Sequence, residues 1–191
     1  MTGAPREPVD ATDPFSKADP FDLLGIDPSF DIDLHLLRPR VRRRIAALHP
    51  DRFSDPVEID RATRESARLN AAWKFIEDEE RRANLVLVRF GGSAAEDDRS
   101  LPPEFLQEML STRMELEEAI ETSDSDEIAR LSDWTGSMKS ELRERVREGL
   151  ASLEKGKGDT ALVRLDLNVW RYIQRMSDEL ASASDSSEPK G

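Results

Sequence analysis

The spacing of the apolar residues is the strongest constraint on this chain: in five runs they recur at steps of three and four, the period of an α-helix. The first run is Leu34, Leu37, Val41, Ile45 and Leu48; the second is Ile59, Ala62, Ser66, Leu69, Trp73 and Ile76. Three more lie in the second half. They are Leu106, Met109, Leu116 and Ile120; then Ile128, Leu131, Thr135, Met138, Leu142, Val146, Gly149 and Leu153; then Leu162, Leu165, Val169, Ile173, Met176 and Leu180. Each stripe has one apolar face to bury, so the pattern predicts an all-α protein built of amphipathic helices.

Prolines, glycines and capping residues divide these stripes into domains. Residues 1–18 are rich in Pro, Asp and Thr without periodicity, and are expected to be a disordered leader. Asp19-Pro20 supplies a cap and a first helical position for the short apolar piece Phe21, Leu23, Leu24, which closes at Gly25. Pro39 falls inside the next stripe, so that helix either begins near Arg38 or bends there. Pro50 disfavours helix at His49 and ends it near Leu48. Asp55-Pro56 opens the following helix, and Ala83 to Phe90 reads as a short helix buried on several sides. Residues 91–101, beginning Gly91-Gly92-Ser93, are the expected linker. Residues 102–181 are expected to form an antiparallel three-helix bundle, opened by Pro102-Pro103 and interrupted at Gly156-Lys157-Gly158. A Ser-rich disordered tail is expected over 182–191.

Composition removes several function classes. The chain has no cysteine and only His35 and His49 as histidines, so thiol chemistry and His-rich metal centres are excluded, and no metal or cofactor is expected. The net charge of -12 argues against general nucleic-acid binding. No run approaches the roughly 20 apolar residues that span a bilayer, and Met1 to Lys17 lacks the pattern of a secretory signal. The expected location is the cytoplasm, away from membranes. Phosphate loops, nucleophile triads and paired-carboxylate settings are missing, so the chain reads as a non-enzyme. One basic block stands against the acidic background, Arg38, Arg40, Arg42, Arg43 and Arg44, with Arg52 beyond it. Such a cluster suits an acidic partner surface.

The sharpest local motif is His49-Pro50-Asp51, set between a basic amphipathic helix and a second long one. Pro50 stiffens the loop, Asp51 can accept from a partner's arginine, and His49 offers a ring that donates, accepts and packs. No second catalytic group accompanies the histidine. With Asp19-Pro20-Phe21-Asp22-Leu23-Leu24-Gly25 before it and Leu69-Asn70-Ala71-Ala72-Trp73 and Asp78 to Ala83 after it, the span 19–90 resembles a J domain. The resemblance implies that His49, Pro50 and Asp51, with Arg40, Arg42 and Arg43, dock onto a DnaK-type chaperone and favour its ATP hydrolysis. Arg44 departs from it, standing where many J domains place an apolar residue.

A J domain followed by a three-helix bundle resembles the HscB-type co-chaperones of iron–sulfur cluster biogenesis. Met109 to Glu118 is similar to that family's apolar-then-acidic segment, and Val169-Trp170-Arg171-Tyr172-Ile173 to its aromatic segment. The resemblance implies a DnaK/HscA-type chaperone and a cluster scaffold protein of IscU type as partners. It assigns scaffold binding to Leu110, Met114, Glu115, Glu118 and Tyr172. Ser111 is smaller and more polar than the family's usual residue there. The remaining alternative is a J protein with a different specific client, outside cluster assembly.

Overall fold

The computed structural model describes residues 19–187, so the leader expected over 1–18 and the final residues 188–191 lie outside the described residues. Among the described residues every regular element is helical. They fall into two compact units, the first ending at Arg82 and the second beginning at Ala83.

In the first unit, α1 (Pro20–Leu24) begins as its residues dictate. Asp19 accepts the Phe21 N–H at 2.8 Å, and Pro20 occupies the first turn. Gly25 ends the helix in the left-handed region, φ +68°, where a side chain would be strained. Helix α2 (Leu34–Ala47) is capped by Asp33, whose carboxylate accepts the Leu36 N–H at 3.1 Å. It starts ahead of Pro39 and carries that proline inside. Leu37 and Val41 are buried, while Leu34, Ile45 and Leu48 are half-buried, which matches the expected stripe. A single 3₁₀ turn, Pro50–Arg52, leads to α3 (Pro56–Glu77). Arg38 reaches back over the hairpin to Glu77 at 2.5 Å, and its guanidinium lies 5.7 Å from the centre of the Trp73 ring. The two long helices are therefore antiparallel. Arg44, the departure in the basic stripe, donates to the Leu24 carbonyl at 2.9 Å, so its charge meets the C-terminal end of α1.

Two side chains of this core are not marked by the stripes. Phe30 is buried, and buried Arg82 donates through Nε to the Phe30 carbonyl at 2.8 Å and through Nη1 to the Ile76 carbonyl. The Arg82 guanidinium also lies 5.3 Å from the Phe30 ring centre.

Helix α4 (Glu79–Arg89) spans the division at Arg82. Its Ala83, Val86 and Leu87 are buried, but Val88 and Phe90, expected on a many-sided buried face, are exposed. Residues 91–101 form a loop within the second unit. Buried Asn168 donates to the Asp98 and Ser100 carbonyls at 3.1 and 2.9 Å, and buried Arg164 donates to the Asn84 side chain at 2.6 Å.

The bundle consists of α5 (Pro103–Thr122), α6 (Ser125–Glu154) and α7 (Thr160–Ser187). Asp124 caps α6 by accepting the Asp126 and Glu127 N–H groups, both at 3.1 Å, and Asp159 accepts the Ala161 N–H at 2.8 Å before α7. Helices α6 and α7 form the main seam, around Leu142, Val146, Leu150, Leu167 and Ile173. The phase of two stripes differs from expectation. In α5 the buried set is Phe105, Met109, Leu116 and Ala119, with Leu106 and Ile120 exposed. In α7 it is Val163, Leu167, Val169, Trp170, Ile173, Met176 and Leu180, with Leu162 exposed; Val169, Ile173, Met176 and Leu180 lie where the spacing put them. The first turns of α7 are rotated because Arg164 and Asn168 point inward to hold the loop. Helix α7 also continues to Ser187, well into the span expected as tail; Leu180 is buried, and Ser182 Oγ donates to the Asp178 carbonyl at 2.9 Å.

Candidate functional site

Each unit carries one cluster of the expected residues. In the first, α2 ends at Ala47 and the chain turns through His49 into the 3₁₀ turn that Pro50 begins. His49 acts as its own loop's cap: Nδ1 accepts the Asp51 N–H at 3.3 Å and lies 3.5 Å from Asp51 Oδ2. With Nδ1 accepting, Nε2 is left to donate outward. The His49 and Asp51 side chains are 62% and 87% exposed, so nothing in the unit covers them. The turn is shaped by Pro50 and the His49 cap, while both side chains remain largely in solvent.

Arg40, Arg42 and Arg43 occupy the exposed part of α2. Arg43 Nε donates to the Pro39 carbonyl at 3.4 Å, the geometry of a weak bond. The six residues expected to meet a chaperone lie on α2 and the turn that follows it, with Arg40 and Arg42 about 160° apart around the helix. Exposed arginines cost little to present, because their charges are already solvated.

In the second unit, helix geometry separates what the sequence placed in one segment. Leu110 and Met114 are 68% and 65% exposed, which is unusual for residues of this size. Leu106, expected in the core, is 49% exposed and precedes them at the same step of four. Successive steps of four advance only about 40° around a helix, so these three residues make one continuous apolar ridge. The repeat spacing shared with Leu110 and Met114 is the signal that would have assigned Leu106 correctly. Half-buried Tyr172 joins the start of this ridge through Phe105, its ring edge-on at 5.4 Å between centres and 87° between planes.

The acidic members behave differently from one another. Glu118 lies one turn beyond Met114 and is exposed. Glu115 points towards α6 and pairs with Arg130 at 2.6 Å. Arg130 is held firmly charged, its pKa raised by the hydrogen bonds it donates to Glu127 first and Glu115 second. Arg113, between the ridge and α7, bridges Glu117 at 3.0 Å and Glu179 at 2.7 Å. Glu115 therefore braces the bundle as well as lying beside the ridge.

Among the described residues no three His, Asp or Glu side chains gather as a metal site, and no helix is long and apolar enough to cross a membrane. A helical hairpin closed by an exposed His-Pro-Asp turn, joined to a helical bundle, defines a J-domain co-chaperone. Residues 101–181 match the family described as the HSCB C-terminal oligomerisation domain. Over 168 residues the chain is 30% identical to the co-chaperone protein HscB homolog of Bordetella petrii, covering 86% of this chain and 95% of that one. It is 28% identical over 170 residues to the homolog from a Shewanella species, covering 86% and 96%. Chaperone HscB from Vibrio cholerae superposes with a TM-score of 0.69 at 23% identity, over 88% of this chain and 98% of that one. The human co-chaperone HscB gives 0.75 at 21% identity, over 88% and 83%. The chain belongs to the HscB co-chaperone family.

Proposed function

We propose that this protein stimulates the ATPase of a DnaK/HscA-type chaperone and delivers to it an iron–sulfur cluster scaffold protein of IscU type. Docking on the chaperone falls to His49, Pro50 and Asp51, with Arg40, Arg42 and Arg43 supplying attraction to an acidic surface. The observation that carries this reading is the turn itself: a loop locked by Pro50 and by the His49 cap, whose polar side chains all face solvent. A rigid loop loses little conformational freedom on binding, so its contacts convert efficiently into affinity. Asp51, acceptor-only when ionised, suits an arginine of the partner.

Client binding falls to Leu110, Met114, Glu118 and Tyr172, with Glu115 at the edge. The ridge exposes apolar surface that the bundle does not need for its own core, the usual mark of a partner face. Methionine adapts to an irregular partner surface, and a half-buried tyrosine offers a rigid anchor with a polar tip.

The test is single-turnover ATP hydrolysis by the DnaK/HscA-type chaperone of the source organism, with this protein and with its His49→Gln variant, scaffold present or absent. Stimulation by the parent, further raised by scaffold and lost in the variant, is the expected result. Stimulation indifferent to scaffold would transfer the bundle to another client. An unaltered rate in the presence of the parent would remove the co-chaperone mechanism proposed here.

A further inference from the structure

A cleft of about 220 Å³ lies between the loop at 99–101 and α7, lined by Arg99, Leu101, Asn168, Arg171, Tyr172 and Arg175. In a chain of net charge -12 this lining holds three guanidinium groups and no carboxylate. The basic side is built, not incidental. Buried Asn168 donates its two side-chain bonds to the carbonyls of Asp98 and Ser100, one on each side of Arg99. The Asp98 carboxylate in turn accepts the Ser100 hydroxyl and N–H, at 2.6 and 3.0 Å, and these bonds hold it below the ordinary carboxylate range. The loop backbone that carries Arg99 is thereby fixed over α7, while the Arg99 and Arg175 side chains remain exposed.

Tyr172 belongs both to this cleft and, through Phe105, to the start of the apolar ridge on α5. We propose that the cleft receives acidic side chains of the same client that lies on the ridge, with Arg99 and Arg175 as the groups that pair with them. This rests on the client reading above and adds the client's required chemistry: a carboxylate, or a close pair of them, next to its apolar contact surface. Guanidinium forks recognise carboxylates in a planar, bidentate way that an ammonium does not reproduce. The ridge supplies apolar contact, and the cleft selects against clients with neutral or basic groups at that place.

The experiment is titration calorimetry of purified IscU-type scaffold against the full chain at about 0.1 M and about 1 M NaCl, where the Debye length is about 10 Å and about 3 Å. Four proteins are compared: the parent, a double variant Arg99→Gln with Arg175→Gln, a double variant Arg99→Lys with Arg175→Lys, and a double variant Leu110→Ala with Met114→Ala. The glutamine variant is expected to bind about five- to tenfold more weakly at the lower salt. At the higher salt it should converge with the parent. A lysine pair at the same positions should restore only part of the difference. The alanine variant should lose binding at both salts. Equal binding by the parent and the glutamine variant at the lower salt, with binding still lost in the alanine variant, would overturn the cleft and leave the client reading in place. A parent that does not bind the scaffold at either salt would overturn both. Unchanged melting temperatures in the exposed-residue variants confirm that folding is not what is being read.

Discussion

At the scale of single residues, the second unit depends on a charge it has closed off from solvent. Arg164 is fully buried; Nη1 donates to Asn84 at 2.6 Å and to the Ser93 carbonyl at 3.5 Å, and Nε to Asn168 at 3.1 Å. Replacing it with methionine keeps most of its volume but leaves those oxygens buried without their donor. Arg164→Met should therefore cost about 3 kcal/mol, read as a lowered denaturation midpoint. His49→Gln is the opposite case. On an exposed turn it should shift stability by no more than about 0.5 kcal/mol while removing ATPase stimulation. The turn at His49-Pro50-Asp51 was legible because its geometry is local: three adjacent residues and a helix on each side. Arg164, Asn168 and Arg82 were not legible, because helical periodicity assigns every charged or amide side chain to solvent. Their burial depends on carbonyls delivered by distant segments, and no spacing rule encodes that.

At the scale of elements, the sequence read helix existence well and helix phase less well. Caps such as Asp19, Asp55 and Asp124 act within a few residues, so these helix starts could be placed from local sequence, whereas the end of α7 could not. Phase depends on which neighbour a helix meets. In α5, Phe105 turns inward to Tyr172 and leaves Leu106 outside, which converts an expected core residue into part of the ridge. The seam of α6 and α7 shows a similar dependence at Gly149, where an added Cβ would lie 2.6 Å from Val163 Cγ2. Valine is stiff in a helix and cannot swing that methyl away. Gly149→Ala should gain about 1 kcal/mol in helix propensity and lose more to overpacking, typically 1 to about 3 kcal/mol. Thermal unfolding should thus show a lower melting temperature than the parent's, against the usual sign for Gly→Ala in a helix. An increase would show that the seam relaxes and that α7 is not held as closely as the distance implies.

For the whole molecule, the proposed function requires two contacts on one chain. In that proposal the His-Pro-Asp turn engages the chaperone, the α5 ridge engages the client, and covalent linkage makes the second encounter effectively intramolecular. Such linkage commonly raises apparent affinity by about 10²- to 10⁴-fold without any new contact. The consequence can be separated from the separate merits of each site by mixing two defective proteins. The His49→Gln variant keeps the client ridge, and the variant Leu110→Ala with Met114→Ala keeps the chaperone turn. Each should fold, since all three positions are exposed. Mixed at equal concentration with chaperone and scaffold, they supply both intact sites but never on one molecule. Hydrolysis should then stay at the level reached with the ridge variant alone, at least tenfold below the scaffold-boosted parent at micromolar protein. Full recovery in the mixture would mean that scaffold and turn act on the chaperone independently. The bundle would then serve to bind the scaffold without carrying it, and the linkage of the two units would need another explanation.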